Sequence, residues 1–93
     1  MRRIERTRQF KRDYRRELKG RHRVTLETVL VEVLQILINN QVMAEKYRDH
    51  ALTGDWQEYR DCHIKPDLIL IYRKPNDDVL QLVRLGSHSE LGL

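Results

Sequence analysis

The sequence has little cysteine and no long apolar run, and both absences narrow the class of protein. Cys62 is the only cysteine among the 93 residues, so an internal disulfide framework is excluded and a reducing cytoplasm is expected. No apolar stretch approaches the roughly 20 residues that span a bilayer, so we expect no membrane partner. Residues 1–6 carry positive charge without an apolar segment behind them, so we expect no secretory signal.

The remaining composition is that of one small globular domain. Hydrophobic residues make up 40% of the chain and charged residues 34%, a balance typical of folded rather than disordered proteins. The length allows one hydrophobic core and no more. No repeat, low-complexity segment or linker interrupts the chain, so we expect residues 1–93 to form a single domain.

Positive charge is concentrated in the first quarter of the sequence. Residues 1–23 contain eleven Lys and Arg against three acidic residues, whereas the rest contains seven against eleven. Such an asymmetry indicates a polyanionic partner, most often nucleic acid. The alternative is an ordinary solvated helix face.

Two helices are predicted after a short edge strand over residues 2–6. Thr7 is the expected N-cap of the first, Phe10 and Tyr14 begin its apolar stripe, and Gly20 ends it. A second helix is expected over about residues 23–39, because its apolar residues recur at helical spacing and its length favours helix over strand. A basic face of the first helix comprises Arg8, Lys11, Arg12, Arg15 and Lys19.

Three strands are predicted in the second half of the chain. They cover residues 56–63, 68–72 and 79–85, with turns over 64–66 and 75–78 and a break at Gly86. Residues 41–55 are expected to form a loop, and residues 87–93 a short tail. The order β-α-α-β-β-β predicts an α+β fold in which two helices pack on one face of a small antiparallel sheet.

Three histidines in this basic domain are the main candidates for chemistry. They are His50, His63 and His88, and Asp61 and Asp67 lie between them in the sequence. Histidine is the side chain whose unperturbed pKa lies nearest neutrality, so histidines beside carboxylates and Arg84 indicate acid–base chemistry on a phosphate. The same residues could bind Zn²⁺, although their spacing fits no compact ligand motif, or they could be structural.

Strand geometry predicts that these residues converge at one edge of the sheet. Side chains alternate along a strand, so Asp61 and His63 share a face. The short turn after His63 should bring Asp67 close to it. A final strand that pairs with the middle one should return Arg84 and His88 toward Asp67.

Three segments resemble the YafQ branch of the RelE/ParE toxin superfamily, the toxins of bacterial type II toxin–antitoxin pairs. They are residues 47–56 (YRDHALTGDW), 59–72 (YRDCHIKPDLILIY) and 84–88 (RLGSH). The resemblance covers essentially the whole chain, and its closing motif continues to Leu91. It implies the RelE-like β-α-α-β-β-β fold.

The resemblance also implies an activity, which is ribosome-dependent endonucleolytic cleavage of mRNA in the ribosomal A site, with inhibition of translation. The RNA 2′-hydroxyl would attack the adjacent phosphate without any metal or other cofactor, leaving a 2′,3′-cyclic phosphate and a 5′-hydroxyl. The family's catalytic residues fall on His50, Asp61, His63, Asp67 and His88. Because the superfamily also contains gyrase inhibitors, a non-catalytic binder is the competing possibility, and the histidines argue against it.

The same resemblance implies partners. One is a cognate antitoxin, a small DNA-binding protein whose complex with the toxin would bind operator DNA and repress its own operon. The others are the ribosome and its mRNA, for which the basic face of the first helix is the expected contact.

Roles can be assigned in part. His88 is the first candidate for one proton transfer and His50 or His63 for the other, with acid and base left open. Asp61 and Asp67 would orient histidines, and Arg84 would hold nonbridging phosphate oxygens. Relatives often have a phenylalanine just after the leucine of the closing motif, where a ring could stack on a base, whereas Leu91 is followed here by Gly92.

Overall fold

The computed structural model describes residues 1–93 and contains the two predicted helices. Helix α1 spans Arg8–Leu18 and α2 spans Leu26–Ile38, and a third short helix, α3, spans His88–Leu91. The Thr7 hydroxyl accepts a 3.0 Å hydrogen bond from the amide of Phe10, which confirms the predicted N-cap. The longest of these helices has 13 residues, and none has the length and apolar character needed to cross a membrane.

Five strands form one sheet in the order β1-β5-β4-β3-β2. Their bounds are Arg3–Arg6 for β1, His50–Ala51 for β2, Arg60–Lys65 for β3, Leu68–Asn76 for β4 and Val79–Gly86 for β5. Strands β2 to β5 pair antiparallel to one another. The α+β fold class and the order of its main elements are therefore confirmed.

The prediction of a purely antiparallel sheet was wrong for β1. This strand runs parallel to β5, with Arg3 opposite Val79 and Arg6 opposite Leu82. The physical reason is the helical connection that follows, because strands joined through intervening helices are free to pair in parallel. The sheet is consequently mixed.

Several element boundaries also differ from prediction. Residues 56–59 are not a strand, because Gly54–Trp56 form one turn of 3₁₀ helix and β3 begins only at Arg60. The predicted turn at 75–78 is shorter, because β4 continues to Asn76. Pro75 lies at a register shift in the β4–β5 ladder, where proline is tolerated. The predicted loop 41–55 contains the two-residue strand β2, and the predicted tail contains α3.

The core lies on both faces of the sheet and is larger on the helical side. Helix α2 contributes Leu26, Leu30, Val33 and Leu37 to that larger cluster. On the opposite face, Ile69, Ile71, Val83 and Leu91 form a small cluster that Trp56 and Tyr59 partly cover. Because β4 is buried on both faces of the sheet, its first half is a continuous run of apolar residues.

Helix α1 closes the part of β5 that β1 does not reach. Beyond Leu82 the edge of β5 has no strand partner, and side chains of α1 take its place. The buried carboxylate of Asp13, 1% exposed, accepts hydrogen bonds from the Leu85 amide at 2.9 Å, from Arg84 Nε at 2.7 Å and from Arg16 Nη1 at 3.1 Å. Arg16 Nη2 in turn donates to the Leu85 carbonyl at 2.8 Å.

The Asp13 network generates a stability prediction. Asp13→Ala should lower the free energy of unfolding by about 3–5 kcal/mol, because it leaves the Arg84 guanidinium and a buried amide without their acceptor and removes one of the acceptors of Arg16. Urea denaturation followed by circular dichroism measures the loss. Glu27→Ala, which removes an exposed carboxylate from the first turn of α2, should cost less than about 1 kcal/mol. Equal losses in the two variants would contradict the role of Asp13.

Candidate active site

His88 is held at the start of α3 by a capping box. The Ser87 hydroxyl accepts from the Glu90 amide at 3.1 Å, and the Glu90 carboxylate accepts from the Ser87 amide at 2.9 Å. This bond to the Ser87 amide keeps the pKa of Glu90 below its usual range, with help from the charge of Arg16. Arg16 Nε lies 2.9 Å from Glu90 Oε2, so α3 is tied to α1. Sequence reasoning missed this helix, although Ser-x-x-Glu is its recognised signal.

Asp67 pairs with His88 rather than with His63. Its Oδ1 lies 2.9 Å from His88 Nδ1 and accepts from the His88 amide at 3.2 Å. Arg21 Nη2 contacts the other carboxylate oxygen at 3.0 Å. The hydrogen bond from the His88 side chain, followed by that from its amide, lowers the pKa of Asp67. An ionised carboxylate can only accept, so Nδ1 of His88 carries a hydrogen and Nε2 is its exchangeable nitrogen.

His50 is held through the same ring nitrogen by different groups. Its Nδ1 lies 2.8 Å from the backbone carbonyl oxygen of Arg48 and 3.2 Å from Asp61 Oδ1. A carbonyl oxygen cannot donate, so Nδ1 must carry the hydrogen and Nε2 is left as the proton acceptor. Arg48 adopts a left-handed conformation with φ of 48°, which places its carbonyl beside His50. Nothing in the sequence signals this conformation.

Asp61 is buried in the sheet next to all three histidines. It lies opposite His50 in the β2–β3 ladder and is 3% exposed. Its Oδ1 has no hydrogen bond of good geometry. Burial raises the pKa of Asp61, and the charges of His50, His63 and His88 oppose that rise. The carboxylate therefore stabilises positive charge on the surrounding imidazoles.

His63 connects the two histidine–aspartate pairs. It lies on β3, two residues beyond Asp61 on the same face, and its ring meets that of His88 edge to face with centroids 5.1 Å apart. The structure thus brings together His50, Asp61, His63, Asp67 and His88.

Arg84 is placed differently. Its guanidinium is directed to Asp13, with Nε at 2.7 Å and Nη2 at 3.4 Å from the carboxylate oxygens. It is opposite Ile71 in the ladder, and Ile71 is opposite Asp61, so one strand separates Arg84 from the histidine group. Only Nη1 lacks a protein partner.

A basic cleft lies beside the histidines. A cavity of roughly 650 Å³ is lined by His63 and His88 together with Lys46, Arg48 and Lys65. Glu32 is the one carboxylate in the lining, so the cleft carries an excess of positive charge, which favours an anionic substrate.

The basic face of α1 lies on the protein surface. Its members Arg8, Lys11, Arg12, Arg15 and Lys19 are all exposed, and none has an acidic partner. Lys11 and Arg15 also line a groove of roughly 640 Å³ with an apolar floor that includes Phe10 and Leu30.

The position after Leu91 has a backbone that favours glycine. Gly92 has a φ of 71° and caps the end of α3, where the Leu93 amide bonds to the His88 carbonyl at 2.9 Å. A side chain at position 92 would be strained in this conformation. The absence of an aromatic residue here is therefore consistent with the local turn.

The chain is similar to known bacterial toxins over nearly its full length. A profile of the family described as "Bacterial toxin of type II toxin-antitoxin system, YafQ" matches residues 2–92. An mRNA interferase toxin YafQ from Escherichia coli K12 is 45% identical over 60 residues, which cover 63% of this chain and 64% of that protein.

Solved structures agree with the sequence comparison. The matching chain in a crystal structure of the E. coli DinJ-YafQ complex has a TM-score of 0.83 at 37% identity, over 98% of each chain. A metal-bound toxin from Helicobacter pylori has a TM-score of 0.83 at 40% identity, over 98% of this chain and 99% of that one. In the present structure no three His, Cys, Asp or Glu side chains are grouped as metal ligands.

The Asp67–His88 contact predicts a measurable titration. The pKa of Asp67, followed by carbon NMR of its carboxyl group, should rise toward the ordinary value of about 3.9 in His88→Gln. Arg21→Gln should raise it less, because the bonds from His88 lower this pKa more than the charge of Arg21 does.

The Asp67–His88 pair should also make the free energy of unfolding depend on pH. The pKa of Asp67 is lower in the folded protein than in the unfolded chain. The ionised carboxylate therefore stabilises the folded state at pH values above the unfolded-state pKa, and this stabilisation is lost as the pH falls through the folded-state pKa. Wild type and His88→Gln should therefore converge in stability at the acidic end. An Asp67 pKa that His88→Gln leaves unchanged would contradict the pairing.

Proposed function

Because this chain belongs to the YafQ family of bacterial type II toxins, we propose that it is a ribosome-dependent endoribonuclease that cuts mRNA in the ribosomal A site. The observation that carries the proposal is the pair of imidazoles on either side of Asp61 and His63. His50 and His88 are each held through Nδ1, so each has Nε2 for proton exchange. RNA transesterification requires two such groups, one for each proton transfer, and His88 also lines the basic cleft with His63.

In the proposed reaction His50 is the base and His88 the acid. Nε2 of His50 takes the proton of the 2′-hydroxyl, and the 2′-oxygen forms a bond to phosphorus. The bond from phosphorus to the 5′-oxygen breaks, and Nε2 of protonated His88 supplies the proton that makes the 5′-hydroxyl. The products are a 2′,3′-cyclic phosphate and a 5′-hydroxyl, and the enzyme returns to its initial state after proton exchange with water.

The different partners of the two histidines support this assignment. His88 donates to Asp67, a surface carboxylate that stays ionised, and such a partner stabilises an imidazolium. His50 donates to a neutral carbonyl and lies near a buried carboxylate whose pKa is raised. The cations of the cleft, with His63, would stabilise negative charge as it develops on the phosphate. We assign Arg84 a supporting role in the reaction, because hydrogen bonds to Asp13 occupy most of its guanidinium.

The partners of the toxin follow from the family and from the charge distribution. A cognate antitoxin should bind the toxin, as DinJ accompanies YafQ in the E. coli complex, and the complex should bind operator DNA. The basic face of α1 should contact ribosomal RNA, because its five cations have no acidic partner within the protein.

The catalytic roles predict the outcome of a single substitution. His88→Ala should reduce cleavage of mRNA by at least about 100-fold, because it removes the general acid. The assay adds purified toxin to a translating extract and maps 5′ ends on the message. Before the assay, the wild-type toxin is treated with a chelator that removes transition metals, and it should keep its activity.

The matched control is His22→Ala, in the loop between α1 and α2, which should cleave like wild type. Thermal melting shows whether each variant is folded. Full activity of folded His88→Ala would refute the mechanism. Activity that is lost on chelation and restored by zinc or copper would favour a metal-dependent hydrolase, and gyrase inhibition without cleavage would favour a binder.

The basic face predicts a salt-dependent effect on binding alone. Arg12→Glu combined with Arg15→Glu should weaken ribosome binding and flatten its dependence on salt, because each lost phosphate contact removes a counterion-release contribution. Cleavage at saturating ribosome concentration should be unchanged, since neither residue contacts the histidines. Arg3→Glu on β1 is the single-site control. Equal affinities of wild type and the double variant across a salt series would contradict this assignment.

A further inference from the structure

A second cationic pocket lies next to the histidine cleft and has no role in the reaction described above. It is a cavity of roughly 460 Å³ between the C-terminal end of α2 and the sheet, and its charged lining includes Arg48, Arg60 and Lys74. Arg48 lines both this pocket and the cleft that contains His63 and His88. The two cavities are therefore neighbours joined at one arginine.

Two of the three cations in this pocket have no ion-pair partner within the protein. Arg60 donates to Asp49 at 3.0 Å, and Asp49 also accepts from the Tyr72 hydroxyl. Neither Arg48 nor Lys74 has an acidic partner. Glu45 is the only other carboxylate in the lining.

Arg2 adds to this charge without being neutralised itself. Its guanidinium is held by neutral groups, among them the carbonyl of Val79 at 3.1 Å and the amide oxygen of Asn40 at 2.9 Å. Burial, followed by the charge of Arg2 and then that of Arg60, lowers the pKa of Lys74, and the charge of Asp49 opposes part of this shift. An ammonium group that is disfavoured by neighbouring cations would be stabilised by an anion placed between them.

We propose that this pocket binds a backbone phosphate of the substrate RNA, next to the phosphate that is cut at the histidines. The inference rests on the proposed RNA substrate. Continuity with the cleft through Arg48 favours the substrate strand over an acidic protein segment, because a nucleic acid carries one phosphate per nucleotide and so presents a second one beside the first. Arg48 would contact both phosphates or the linkage between them.

The test uses a nonanucleotide of 2′-O-methyl RNA, which lacks the attacking hydroxyl and is not cut. It is titrated into isotope-labelled protein while backbone amide shifts are recorded by NMR. Amides of Arg48, Arg60 and Lys74 should shift together with those of His63 and His88, with a common dissociation constant.

Lys74→Gln should weaken this binding by about fivefold at 0.1 M salt and reduce the slope of log K against log salt by about 0.7, as for one phosphate contact to a single strand. Lys74→Arg should restore both. Arg23→Gln is the control, because Arg23 is exposed, lacks a partner and lies at the opposite end of α2, about 20 Å away along the helix.

Each outcome separates this inference from the proposed function. If the histidine amides shift but those of the pocket do not, or if Lys74→Gln binds like Arg23→Gln, the second phosphate site is refuted and the RNA substrate stands. If neither region shifts, the second phosphate site is refuted as a site on the free toxin, whereas the proposed function is judged by the cleavage assay on ribosomes. A nonapeptide of glutamate that binds the pocket as tightly as the RNA would overturn the assignment in favour of an acidic protein partner.

Discussion

The buried carboxylate of Asp13 is the interaction on which the arrangement of this molecule depends. On the edge away from β4, the end of β5 has no strand beside it, and an unpaired amide there would be costly because it is removed from water. Asp13 accepts from the Leu85 amide and simultaneously from Arg84 and Arg16. One acidic side chain thus completes the sheet edge, pairs with two arginines and fixes α1 against β5.

The end of the chain that carries His88 is attached to this network. Arg16 contacts Asp13 and, through Nε, the Glu90 carboxylate that caps α3. A methyl group at Gly86 would come within 2.7 Å of Arg16 Nη2 and 3.2 Å of Glu90 Oε1, so a larger residue would displace the Arg16 guanidinium. Because His88 is the first residue of α3, its position depends on contacts that α1 makes through Arg16.

The sequence predicted what depends on local pattern and missed what depends on distant contacts. Periodicity identified α2 and the buried run of β4, and strand alternation placed Asp61 and His63 on one face. The burial of Asp13 was not predicted, because an acid on a helix is usually exposed and its partners lie about 70 residues away. The hydrogen bond between Asp67 and His88 was not predicted, and neither was the ion pair between Arg84 and Asp13. Both depend on contacts between residues that are distant in the sequence.

The left-handed backbone of Arg48 is the clearest case of local strain at the site. For a residue other than glycine this conformation costs on the order of 1–2 kcal/mol, and a glycine there would avoid the cost. The arginine is retained at a position where its carbonyl fixes Nδ1 of His50 and its side chain lies between two basic cavities. In the proposed mechanism one residue therefore sets the tautomer of the base and supplies charge for the substrate phosphates.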